Sequence, residues 1–262
     1  MQELRFDKTK VAEYRDAATK LHESLSAAEQ RMDAAIENGD KAAAQAALDE
    51  ATASGEAFRE LRSKLKPTDL FVAKYNIQVH GPHEVSFVLP RGVSRYQMLR
   101  EAQELVAERD GRALVDSDDL KRWGDDARFT ASCESPERIR IDGHVEGGDA
   151  NTALQRAKLL AGKGLEQAKL EDLGAAFVAN YVATGRDLFE GRFVNAVGGA
   201  LGFPSFGLHV RDIYDAYGDT YDVLGNSIVA VASRVRSPFA KASGDRPESK
   251  KLRSWFSGFR LR

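Results

Sequence analysis

A single cysteine, Cys133, stands among 262 residues, so the chain can form no internal disulfide and no cysteine zinc site. Proline is scarce at seven positions, and no purely apolar run is longer than the five residues at 228–232. A bilayer crossing needs about twenty such residues, so no transmembrane helix is expected. The opening Met-Gln-Glu-Leu-Arg-Phe-Asp-Lys lacks the apolar stretch of a secretory leader. A reducing, cytoplasmic setting follows as the expectation. Wholesale disorder is excluded, because 42% of the residues are hydrophobic and the chain is long enough to bury a core in one or two domains.

Net charge is also small, at −2, but it conceals an opposition. Residues 234–262 hold nine Lys and Arg against two acids, whereas residues 1–233 hold 29 bases against 38 acids. An acidic body of −9 therefore carries a basic tail of +7, which implies a separate partner for the tail or a return onto its own body.

Periodicity divides the chain at 1–66, 67–148, 149–235 and 236–262, and the class it predicts is α+β. In the first part Val11, Tyr14, Ala18, Leu21, Leu25, Ala28, Met32 and Ala35 recur at alternating spacings of three and four. That is the seam of a coiled-coil-like helix facing a partner helix. Asn38-Gly39-Asp40 supplies a left-handed stop and a new N-cap. Ala44, Leu48, Ala51, Gly55, Phe58, Arg62 and Leu65 then continue the rhythm up to Pro67. An antiparallel helical hairpin arm is expected. Its Ala- and Gly-rich seam allows close approach but buries little area per turn.

Residues 67–148 shift to β-branched and aromatic types. Tyr75, Ile77 and Val79, then Val85, Phe87 and Leu89, alternate with polar residues as half-buried strands do. Keeping the apolar residues on one face sets Val79 opposite Val85 and leaves Gly81-Pro82-His83 as the turn. Ser94 and Gln97 form a capping box for a helix to about Asp110 and Gly111. A shorter helix follows Ser117 and ends near Trp123. Asp142-Gly143 within 139–145 carries the signature of a second tight hairpin. Hairpin, helix, hairpin resembles the element order of β-grasp-like modules, a likeness of order alone that carries no function.

In 149–235 a capping box at Thr152–Gln155 comes first. Leu170, Leu173, Phe177 and Tyr181 mark one helical face closed by Thr184-Gly185. Short strands are expected at 193–197, 200–203 and 206–210 as a meander, and a last helix from about Asp219 through Leu224, Ile228 and Val231. Beyond residue 236 the composition turns to Ser, Gly, Pro and Lys, which is linker chemistry.

Mechanistic motifs mostly fail. Ala161-Gly162-Lys163-Gly164 lacks both the first glycine and the hydroxyl residue of a phosphate loop, and no His-Glu-x-x-His occurs. No cofactor is expected. Asp142, His144 and Glu146, with Arg140 and Asp149, would line the polar side of the expected hairpin. His80 and His83 sit at another hairpin tip. Histidine with carboxylates can hold a divalent metal, the candidates being His80, His144 and Asp142, or do acid–base work. The plainer reading is a solvated strand face. Asp212, Asp215, Asp219 and Asp222, interleaved with tyrosines, form a candidate acidic surface for a cation or basic peptide, or else caps and packing. Cys133 has no cation beside it in sequence and reads as an inert thiol.

The end of the chain is the most specific feature. Leu252, Trp255, Phe256 and Phe259 fall at i, i+3, i+4 and i+7, with Lys250, Lys251, Arg253, Arg260 and Arg262 around them. Protein docking through Leu252, Arg253, Trp255, Phe256, Phe259 and Arg260 is the leading reading. An anionic membrane surface or nucleic acid are the alternatives for 250–262, the latter disfavoured by the acidic body. The functional expectation is a non-catalytic cytoplasmic assembly or adaptor protein with a protein partner or self-association. The alternative is a small metal-dependent hydrolase around Asp142, His144 and Glu146.

Overall fold

A computed structural model describes residues 4–115, 117–146 and 166–189, together with strands at 193–196, 199–202, 209–211 and 228–236; for 143–146 and these four later strands only the backbone is described. The fold is α+β. Two long helices, α1 (Lys8–Glu37) and α2 (Lys41–Ser63), lead the chain. The Asp7 carboxylate caps α1 by accepting from the amides of Thr9 and Lys10, and Asp40 does the same for α2 through Ala42 and Ala43. Between them Gly39 has φ +70°, the left-handed turn that a side chain would strain. The Tyr14 ring meets that of Phe58 at a tilt, 5.1 Å between centroids, Ser24 meets Ser54 at 3.3 Å, and Arg31 pairs with Glu50 at 2.7 Å, so the two helices run antiparallel.

All eight seam residues expected on α1 are buried or half-buried. On α2 the seam departs by one residue: Ala47 is 6% exposed and takes the inward place, while Leu48 is 41% exposed. Adjacent apolar residues compete for one position, and the smaller fits the close spacing set by Ala28 and Ala35 opposite. The helix also stops before Pro67, which instead opens a short helix that the sequence reading missed, α3 (Pro67–Lys74). Tyr75, expected on a strand, ends α3 and is fully buried.

The β1 strand (Gln78–Val79) pairs antiparallel with β2 (Glu84–Leu89), with Val79 opposite Val85 as the alternation requires. His80 donates its amide to the Glu84 carbonyl at 2.9 Å, closing the 81–83 turn. Helix α4 (Arg95–Asp110) is capped by Ser94, whose hydroxyl accepts from the Gln97 amide, and ends at left-handed Gly111. Helices α5 (Ser117–Asp125) and α6 (Ala127–Thr130) bring Trp123 flat onto Phe129 at 4.9 Å.

Strand β3 (Glu137–Glu146) overturns the second expected hairpin. It is one continuous strand. Its register with the neighbouring strand slips between Asp142 and Val145, so Gly143 and His144 stand where one partner residue should, a β-bulge rather than a turn. Asp-Gly tolerates both conformations, and two flanking partners favour the bulge. The hairpin–helix–hairpin order is therefore not completed here.

After the short β4 (Glu166–Gln167), helix α7 (Leu170–Thr184) is buried on every side rather than along one stripe, and closes at left-handed Gly185. It lies against α4, α3, β2 and β3. Strands β5 (Phe193–Ala196), β6 (Gly199–Gly202) and β7 (His209–Arg211) form the expected antiparallel meander.

Strand β8 (Ile228–Arg236) replaces the C-terminal part of the expected last helix. Leu224, Ile228 and Val231 imitate a helical spacing, but Ile228, Val229, Val231 and Val235 are β-branched and fit a pleated surface better. It pairs antiparallel with β3 and parallel with β5, giving the sheet order β1-β2-β3-β8-β5-β6-β7, with β4 also on β8. Val85 faces Ile141 and Phe87 faces Ile139 across the β2–β3 ladder, all four buried, and one buried cluster runs from Val11 through these strands to Phe189. Thr152–Gln155, residues 212–227 and the basic-aromatic end of the chain lie outside the described residues.

Candidate functional site

Three groupings of polar residues emerge. The first fastens the helical pair to the body. Asp69, 2% exposed, accepts from the backbone amide of Asp7 at 2.9 Å and from that of Lys66 at 3.2 Å. One buried carboxylate thus ties the start of α1 to the start of α3. Arg5 adds a backbone bond to the Ala183 carbonyl at 2.7 Å and an ion pair to Asp110 at 3.2 Å. Arg109 holds the same carboxylate, and its hydrogen bond, with help from Arg5, keeps Asp110 below the usual carboxylate range. A cleft of about 330 Å³ opens at this root between Leu4, Arg5, Phe6, Lys10 and Lys66, with Asp7 and Asp69 offsetting part of its positive charge. Sequence reasoning passed over Asp69, although Pro67 at the first helical position with an acid two residues on is a helix-start signal.

The second grouping is interior. The Arg95 guanidinium donates to Asp172 at 2.9 Å and to Glu137 at 3.1 Å, and its third nitrogen lies 3.7 Å from the Cys133 sulfur. Burial works against the Arg95 charge, yet Asp172, followed by Cys133 and Glu137, holds its proton more firmly than usual. Cys133 therefore does have a cationic neighbour, in space rather than in sequence. Burial nevertheless outweighs that neighbour and pushes the thiol up, so it stays protonated and is a poor nucleophile. Glu171, on the first turn of α7, is also raised, chiefly by burial and further by Asp172 beside it. These residues meet because Arg95 opens α4, Glu137 opens β3 and Asp172 opens α7; no local sequence signal announces the meeting.

The third grouping holds the candidate metal residues. Glu84 and Asp142 lie opposite each other on β2 and β3, and Arg140 binds Glu84 at 2.5 Å. The His80 imidazole bonds the Ser86 hydroxyl at 2.8 Å, and His83 bonds the Leu188 carbonyl at 3.1 Å. His80 is thus engaged within its own hairpin, and His83 reaches across to the segment after α7. Backbone register places Glu146 opposite Ile228 and the bulge at His144; these side chains are not described. Among the described residues, no three His, Cys, Asp or Glu side chains converge as metal ligands.

Neither protein-family models, nor curated proteins, nor solved structures give a match to this chain. Asp212, Asp215, Asp219 and Asp222, and the tail from Leu252 to Arg260, lie outside the described residues. Among the described residues no helix is long and apolar enough to cross a membrane. Ile36, 62% exposed, and Leu48 are the large hydrophobic side chains that stand out to solvent among the described residues, and both belong to the free end of the α1–α2 pair. His22 on α1 is exposed, in keeping with its place off the seam.

Proposed function

We propose that the chain is a non-catalytic assembly or adaptor protein of the cytoplasm, docking a protein partner through its helical pair and its basic-aromatic end. The observation that carries this reading is the helical pair itself, read as a coiled-coil-like arm. α2 packs chiefly on α1, and α1 packs beyond that chiefly on α3 near its root. A long two-helix element that buries small residues and shows Ile36 and Leu48 at its free end invests chain in reach rather than in core. The interior cluster supports the same reading, since its ionisable groups are spent on one another and its thiol stays neutral.

Affinity capture tests it. Full-length protein and a chain ending at Ser249 are used as bait, and bound material is read by mass spectrometry and nucleic-acid staining. A protein retained only by the full chain is the expected result; lipid or nucleic acid in its place reassigns the tail. The hydrolase alternative draws on the β-bulge beside Asp142, since bulges re-aim side chains next to active sites. Metal analysis of the purified protein without stoichiometric divalent metal removes its metal-dependent form.

A further inference from the structure

The arm has two flanks, and they differ. With the seam at positions a and d, Arg31 and Glu50 fall at g on the two helices, and their ion pair at 2.7 Å marks one flank. The opposite flank is built from e positions, which in an antiparallel pair lie beside one another. Ile36 and Leu48 both occupy e, so the two exposed large hydrophobics share that flank near the arm's free end. Glu29 stands at e as well, and Glu37, Asp49 and Glu56 fill the neighbouring f positions. From Asp16 to Leu61 the e and f positions hold six acids and one base, Lys41. This flank is an apolar pair edged with carboxylates.

The sequence contains its complement. Residues 250–262 carry five Lys and Arg and no acid, arranged around Leu252, Trp255, Phe256 and Phe259 at helical spacing. We infer that the e flank of the arm receives residues 250–262 of a second copy of this chain, as a third helix laid along Ile36 and Leu48. The inference rests on the assembly reading above and names the partner. Charge fits charge, and rings fit the exposed aliphatic pair.

Reach favours a second copy over the chain's own end. Strand β8 finishes at Arg236 opposite Glu137, which is bound to Arg95 at the start of α4. The arm is rooted at the other end of α4, through Arg5 and Asp110. The arm alone runs about 37 Å from Val11 to Ile36. Residues 237–249 span at most about 45 Å when fully extended. A neighbouring copy meets no such limit.

Sedimentation of the full chain tests the inference. The mass should climb above the 28.8 kDa monomer with concentration, and the association should weaken as salt rises from about 50 to about 500 mM. Trp255→Ala with Phe259→Ala, and separately Ile36→Gln with Leu48→Gln, should each weaken it roughly thirtyfold, the loss of a hot-spot contact. Ile36 and Leu48 lie off the buried cluster, and circular dichroism checks that each variant is folded. An equimolar mixture of the two variants should associate again, because one supplies an intact arm and the other an intact tail. Three results overturn the inference: a monomer at every concentration, association indifferent to both variants, or a monomer whose arm loses hydrogen-exchange protection in the tail variant, which assigns the flank to the chain's own end. A monomer that still captures another protein through its tail leaves the assembly reading standing and removes only the second copy.

Discussion

Inside the body one guanidinium serves several acids. Asp172 is fully buried and Glu137 nearly so, and both depend on Arg95. Arg95→Met should cost about 3–5 kcal/mol in urea unfolding, because it strands buried carboxylates; adding Asp172→Leu should recover much of the loss. Glu171 acts through pH. Its proton is bound more tightly in the folded than in the unfolded chain, so its contribution to stability is full below the ordinary carboxylate range of about 4.3 and is lost as pH rises through its elevated value. Asp110 and Asp126, both lowered by arginine hydrogen bonds, give the opposite slope at lower pH. The difference between wild type and Glu171→Gln isolates the term: the variant's stability should hold better as pH rises above about 4.3, measured by melting at a series of pH values. Little of this was legible beforehand. Charged residues forty or more positions apart reveal their pairing only when α4, β3 and α7 begin at one place.

Among the elements, legibility followed the length of the pattern. Eight seam residues over α1 left no ambiguity, and the caps at Asp40, Ser94 and Gly111 sit where their chemistry placed them. On α2 the choice between Ala47 and Leu48 lay beyond hydrophobicity, since what decides it is the distance between the helices. The two positions separate in a simple pair of variants. Ala47→Glu should lower arm stability by about 1–3 kcal/mol through burial of a charge, whereas Leu48→Glu should stay within about 0.5 kcal/mol, both read by urea unfolding followed by circular dichroism. Asp142-Gly143 and the 228–236 segment were misread for one shared reason. Short signals describe what a backbone tolerates, and the choice among tolerated conformations belongs to the strands on either side: β2 and β8 flank β3, and β3 and β5 flank β8. Fully buried α7 illustrates the same limit, for its four-residue stripe told only part of its surroundings.

For the molecule as a whole, β8 is the seam between the strands near β3 and the meander of β5 to β7. A chain ending at Ser227 should therefore aggregate on expression, while one ending at Ser249 should keep a melting temperature within a few degrees of the full chain. Biosynthesis runs from the first residue to the last, and that order bears on β8 more than on any other strand. The arm can pair with itself early, and β1, β2 and β3 can join before half of the remaining chain exists. Among the described strands the central one comes last, so β3 and β5 wait on the nascent polypeptide with open edges until residue 236 has emerged. During that interval those open edges are an aggregation hazard. Yield on expression should therefore track how those edges are guarded during synthesis as well as the stability of the finished sheet.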